Sequence, residues 1–319
     1  MTQDKQAPSA AGTRPLLFDS HAHLVADDQV RYPRNPMKRA ADAPPRAPGV
    51  IGKPGGKHGP NPINEVPDVA RMLVWMKEEN VDGAVAVQKR MIYRYDNSYI
   101  LDSSDAHPDI FSAVVILDAE DAGTPGLVRS YIEKNGLAGV RLFGGRQPDG
   151  SMPWLNSPQA LKTWDVAEEF GLVIDLEVLA VGGGGPSVPT IIELARRYPN
   201  VRIVLDHLLE PEATEEHFGL DERFEKLAHE HNIFFKFTSI NLDEYREADV
   251  PAEQVLRRAV DLFGADRIMW GSDIGTSSGT YKEMVQRMID ASVLLTEEEK
   301  RAVWHDTGKR VFVKGGARR

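Results

Sequence analysis

From Pro15 onward, short runs rich in β-branched and aromatic residues alternate with stretches in which apolar residues recur at helical spacing. That is the pattern of repeated strand–helix units on a parallel sheet. Eight apolar runs read as strands: residues 16–20, 83–87, 111–116, 139–142, 172–176, 202–205, 233–237 and 267–270. Between them, residues 68–79, 127–135, 159–170, 191–198, 222–229 and 252–263 read as amphipathic helices. Asn135-Gly136, Phe170-Gly171 and Phe263-Gly264 each place a glycine where a helix end needs a left-handed cap. Thr296 with Glu299 three residues on marks the start of a closing helix by a reciprocal capping box. Eight such units predict an α/β fold of the TIM-type (β/α)₈ barrel class, with loops after the strands forming the rim of a pocket.

The chain's 319 residues exceed the ~250 such a barrel needs, so a single barrel domain over residues 15–313 is expected. Residues 1–14 read as a disordered lead-in without the apolar core of a secretory signal, and residues 314–319 as a tail. A Pro-, Gly- and basic-rich loop at about residues 24–67 interrupts the first unit and reads either as a lid bringing Lys57 or His58 to substrate, or as an arm for subunit contact. Homo-oligomerisation therefore stays open.

With no cysteine, disulfides, thiolate metal sites and cysteine nucleophiles are excluded, and a cytoplasmic address is the expectation. A net charge of -10 disfavours non-specific nucleic-acid binding, and no apolar run approaches membrane-spanning length. A small-molecule partner is expected instead.

His21 and His23 follow the first strand two residues apart, so strand alternation points both to one face. Such a pair holds a divalent metal, polarises a carbonyl, or simply packs. Two later strands end in the same kind of residue, at His207 and at Asp273. In a barrel all these strand ends open onto one pocket, where imidazole and carboxylate suit Zn²⁺ or Mn²⁺ and a carboxylate beside water suits a general base. On strand five, Asp175 and Glu177 share a face; Glu177 reads as a metal ligand, as a group that orients substrate or accepts a proton, or as a partner of Arg141.

Five stretches together resemble the amidohydrolase superfamily, and within it the amidohydrolase-2 branch. They are Phe18-Asp-Ser-His-Ala-His, Asp96-Asn-x-Tyr-x-Leu-Asp102 with Pro108-Asp-Ile-Phe, Gly139-Val-Arg-Leu, Leu205-Asp-His, and Gly264-Ala-Asp-Arg-Ile-Met-Trp-Gly-Ser-Asp. The resemblance covers most of the chain, though His305-Asp-Thr stands where members commonly carry an asparagine-containing turn. The decarboxylases of the branch carry a metal-binding histidine at the end of strand five, which is absent here, whereas its lactonases tolerate that absence. The resemblance thus implies a metal-assisted hydrolase that opens a small acidic lactone, using His21, His23, His207 and Asp273 as catalytic groups. It implies a divalent ion among His21, His23, Glu177, His207 and Asp273, zinc ahead of manganese, although some such lactonases work without metal. Arg141, Arg94, Arg90 and Arg146 are the arginines offered to the acid group, since a planar guanidinium grips a carboxylate with two hydrogen bonds. The alternatives are a non-oxidative decarboxylase, another carbon–carbon or amide hydrolase, and a catalytically dead binding protein.

Overall fold

A computed structural model of the chain describes residues 14–35, 50–51, 61–62, 66–179 and 184–313. Eight parallel strands run in chain order around a TIM barrel: β1 (Leu17–His23), β2 (Val81–Val87), β3 (Phe111–Ile116), β4 (Gly139–Gly145), β5 (Val173–Leu179), β6 (Arg202–Leu205), β7 (Ile233–Thr238) and β8 (Ile268–Gly271). Each pairs with the next in parallel register. The seam between β8 and β1 is held by a parallel bridge of Ala22 to Ile274 and by the Asp273 amide donating to His21 O at 2.8 Å. Across the same seam, Asp19 Oδ1 accepts from the Ser272 amide at 2.8 Å and Asp19 Oδ2 from the Tyr281 hydroxyl at 3.1 Å. A β-carbon on Gly271 would stand 2.6 Å from His21 Cβ, so glycine is what lets β8 approach β1 there.

Because side chains alternate across a strand, each barrel strand sends one set inward and one outward. The outward set, including Ile174, Leu176, Phe235 and Phe237, packs beneath the helices in the main core. The inward set is layered. Val85, Val114, Val173, Val204, Phe234 and Met269, with Val311 and Phe312 of the closing helix, form an apolar floor. Two residues further along β5 and β7 come Asp175 and Lys236, and two further still Glu177 and Thr238, all buried. The barrel therefore grades from apolar at its base to polar at the carboxyl ends of its strands, where a barrel's chemistry sits.

The strands lie where the alternation places them, with β1 running on to include both histidines and β4 and β5 extending to Gly145 and Leu179. Gly136 and Gly171 cap their helices in the left-handed region, at φ 60° and 56°. The helix expected over 222–229 breaks, four residues of α-helix giving way to a 3-10 turn at Lys226–His229. Helices at Ser98–Ala106, Ser239–Glu247 and Tyr281–Ala291 complete the ring. Trp270 is fully buried and packs toward Tyr281, with ring centroids 6.4 Å apart.

Of the long first loop, residues 24–35 pack against the segment after β2: Val25, Ala26, Tyr32 and Tyr93 form one apolar cluster, and the Tyr93 hydroxyl accepts from the Ala26 amide at 2.8 Å. Val50–Ile51 and Asn61–Pro62 pair as a short antiparallel ladder. Lys57, His58, the lead-in at 1–13, the first glycines of the run after β5 and the tail at 314–319 lie outside the described residues. Among the described residues no helix is long and apolar enough to cross a membrane.

Candidate active site

His21 and His23, both on β1, meet Asp273 from the turn after β8 at the carboxyl end of the barrel, and all three are buried. His23 Nε2 lies 3.1 Å and His21 Nε2 3.7 Å from Asp273 Oδ1. The other ring nitrogens decide where the protons are. His23 Nδ1 is 3.0 Å from Val87 O, and a carbonyl only accepts, so Nδ1 carries the hydrogen. His21 Nδ1 is 3.2 Å from Asp206 Oδ1 and 3.3 Å from Lys236 Nζ; the ammonium has closer acceptors in Asp175 and Asp206, at 2.5 and 3.0 Å, so the Asp206 carboxylate decides and the hydrogen is assigned to Nδ1.

Burial keeps both rings neutral. It lowers His21 well below the usual histidine range and His23 to about 4, with the Lys89 charge adding to the effect on His23. Burial alone would raise the Asp273 carboxyl, but the His23 and His21 rings beside it and the His207 cation hold it far below the carboxylate range. Near neutral pH, two bare imidazole nitrogens and an ionised carboxylate oxygen thus converge, their ligand atoms within 4.8 Å of one another. His21 Nε2 is buried with no hydrogen-bond partner among the described residues. Three lone pairs aimed at one point repel unless a cation lies among them, so this donor set fits a divalent metal ion. Asp273 itself sits at φ 49°, a left-handed backbone an aspartate tolerates better than most residues.

His207 and Glu177 form a second group. His207 Nε2 is 3.2 Å from Glu177 Oε2, and Nδ1 is 2.6 Å from Thr238 Oγ1. Burial opposes protonation of His207, but Glu177 overrides it and pushes the imidazole up to about 9, so at neutral pH it is a cation. The two groups abut, the His21 and His207 ring centroids being 5.5 Å apart. The expected ligand set is therefore divided: His21, His23 and Asp273 face one another, while Glu177 and His207 pair alongside. His207 begins a run of four residues with left-handed φ, His207 to Glu210, which turns the chain sharply off β6. The Asn241 side-chain amide donates to His207 O at 2.9 Å within that turn.

Beneath both groups lies a buried ionic layer. Arg141 donates from Nε to Asp206 Oδ2 at 2.6 Å and from a terminal nitrogen to Glu177 Oε2 at 2.7 Å. Lys236 Nζ is 2.5 Å from Asp175 Oδ2 and 3.0 Å from Asp206 Oδ1. Burial would raise the Asp206 carboxyl, yet Arg141 and Lys236 hold it well below the usual range; Asp175, where burial and the Asp206 charge win, is raised to about 7. Asp206 also fixes the His21 proton, as an outer partner of a metal-binding histidine does. Arg141, expected to grip substrate, instead has two carboxylates as partners. Glu177 pairs with Arg141 and with His207, and with Asp206 and His207 it also offers ligand atoms within 4.8 Å of one another.

At the rim, Arg90 lies over the Phe143 ring at 4.2 Å and near the Tyr95 ring at 5.7 Å. Arg94 is exposed, and Arg146 is exposed and donates from Nε to Gly150 O at 3.2 Å in its own turn. Lys89, the residue before Arg90, hydrogen-bonds Thr276 Oγ1 three residues after Asp273, and burial lowers its ammonium to about 8. Sequence reading passed over Lys89, Lys236, Thr238 and Asp206. A lysine two residues before a threonine in the apolar run Ile233-Phe-Phe-Lys-Phe-Thr was the available signal for two of them.

The family model described as Amidohydrolase matches residues 18–313. The L-fucono-1,5-lactonase of Burkholderia ambifaria is 26% identical over 203 residues, a stretch spanning 62% of this chain and 66% of that enzyme. A solved structure of a candidate 2-pyrone-4,6-dicarboxylic acid hydrolase from Pseudomonas putida superposes with a TM-score of 0.67 at 20% identity, covering 93% of this chain and 97% of that one. An amidohydrolase from Burkholderia multivorans, solved with bound zinc, gives 0.64 at 19% identity over 93% and 99%.

Proposed function

This chain belongs to the amidohydrolase family, and from that premise we propose that it is a metal-assisted hydrolase that opens a small lactone. The observation that carries the reading is the convergence of His21 Nε2, His23 Nε2 and Asp273 Oδ1, three buried lone-pair donors, at the mouth of the barrel. The fuconolactonase relative supports the lactone as the class of bond. Two imidazoles and a carboxylate favour zinc over manganese as the ion. Such an ion, when bound by these residues, supplies a Lewis acid that polarises the ester carbonyl and acidifies water.

The chain's own groups divide the remaining work. Asp273, ionised across the physiological range, accepts the proton of the attacking water as its oxygen bonds to the carbonyl carbon. His207, a cation through Glu177, stands beside this centre and gives a proton to the ring oxygen as the carbon–oxygen bond breaks. The product is a hydroxy acid, and proton exchange with water restores both residues. Asp206 and Val87 O hold the two β1 imidazoles in the tautomer that leaves Nε2 bare.

The test is proton release from a panel of five- and six-membered lactones, run beside carbon dioxide release from aromatic acids. Acid released in step with lactone consumption supports the reading. Carbon dioxide release with every lactone left closed would sink it in favour of decarboxylation.

A further inference from the structure

The pocket's cations are unequally matched. Arg141 and Lys236 each touch two carboxylates, at 2.5 to 3.0 Å. Lys89 and Arg90 touch none: among the described residues, the Lys89 ammonium bonds only the neutral Thr276 hydroxyl, and the Arg90 guanidinium lies against the faces of Phe143 and Tyr95. Both are half-buried, and a cation withdrawn from water without an anionic partner is costly.

Their position is fixed by the site itself. They are consecutive residues of the turn leaving β2, whose last residue, Val87, offers its carbonyl to His23. Thr276, which anchors Lys89, donates its amide to Asp273 O at 3.0 Å. Phe143, which carries Arg90, is two residues along β4 from Arg141, whose guanidinium lies 6.0 Å from the same ring. The two unmatched cations thus flank the His21–His23–Asp273 centre on the β2 and β4 side.

We propose that Lys89 and Arg90 form the anion-binding subsite of this pocket and select substrates that carry a carboxylate beside the scissile ring. Lys89 supplies a point charge close to the reacting centre and Arg90 a planar fork held in place by Phe143. Arg141, with its hydrogen bonds taken by Asp206 and Glu177, is a positioning residue for those carboxylates. This assignment rests on the lactonase reading for the identity of the ring, but the binding of the acid group is measurable without turnover.

The test is calorimetric titration of benzene-1,3-dicarboxylate into metal-loaded wild type and the Lys89→Met, Lys89→Arg and Arg90→Met variants. Loss of a charge-assisted contact should weaken binding about tenfold or more in Lys89→Met and several-fold in Arg90→Met, with Lys89→Arg recovering most of the loss. In turnover, the ratio of kcat/KM for a carboxylated lactone to that for its methyl ester should fall in Lys89→Met. A purely structural role for Lys89 would lower both rates together and leave that ratio alone. Binding of the dicarboxylate equally well in wild type, Lys89→Met and Arg90→Met, or no binding to wild type at millimolar concentration, overturns the proposal. Lys89-dependent binding in a protein that opens no lactone would leave the subsite standing and remove the lactonase reading instead.

Discussion

Asp273 combines a left-handed backbone, burial and contact with two imidazoles, which narrows the substitutions that report on its chemistry alone. Asparagine is isosteric and tolerates φ 49°, so Asp273→Asn removes the charge with little strain. Turnover in that variant should fall by about a thousandfold or more, while its thermal melt stays within a few degrees of wild type. Near-normal turnover would remove Asp273 as the proton acceptor. At this scale the sequence was legible wherever strand alternation met a chemical residue type: His21, His23, His207 and Asp273 are all buried together at the carboxyl ends of the strands. Partnership was not legible. Nothing in the spacing says that Arg141 is taken by Asp206 and Glu177, or that Lys89 meets no carboxylate, because those facts depend on which strand ends face one another across the barrel.

At the scale of the strand, β5 and β7 each carry a charged residue where a barrel interior is normally apolar. The pairing of Asp175 with Lys236, and of both Lys236 and Arg141 with Asp206, is what makes that layer tolerable. Replacing Lys236 by methionine leaves Asp175 without its partner in a water-free layer and should cost about 3–5 kcal/mol in urea unfolding. Adding Asp175→Asn should return part of that loss; a Lys236→Met protein as stable as wild type would show that the layer is hydrated. The eight strands were readable because each is a short apolar run bounded by turn residues. The ends of β4 and β5 ran past their predicted limits because the pairing continues through Gly144, Gly145 and Glu177, whose own β-propensity is low. The break in the helix at 222–229 follows the two left-handed residues His217 and Phe218, whose turn the apolar pattern does not encode.

For the whole molecule, two buried histidines contribute to stability with opposite dependence on pH. In the metal-free protein, His23 has a folded pKa of about 4 against the ordinary histidine value of 6.5, so below 6.5 the unfolded chain binds more protons. Its contribution, about 3 kcal/mol, is lost as pH falls from 6.5 to about 4. His207 has the opposite sign: its folded pKa of about 9 gives a contribution of about the same size that is complete below 6.5 and lost as pH rises to about 9. Asp175 and Glu210, each raised to about 7, oppose His23 over the acid range, so the readout is a difference: in urea unfolding, the metal-free wild type should lose stability relative to His207→Gln between pH 6.5 and 9. A difference between the two proteins that stays constant from pH 6.5 to 9 would contradict the Glu177–His207 pair. The barrel class and the place of its site at the carboxyl ends of the strands were readable from the repeat of strands and helices. The layering of apolar floor, ionic layer and metal-fitting mouth was not, since it appears only when the strands are set side by side.

Whether His21, His23 and Asp273 converge on a cation is read by elemental analysis of the purified protein beside a His23→Asn variant. The wild type should hold about one divalent ion per chain, removed by chelator along with lactone hydrolysis, and the folded variant should hold far less. A wild-type protein that holds no metal after incubation with zinc, yet opens a lactone at full rate, would contradict that convergence and leave the imidazoles and Asp273 to do the chemistry unaided.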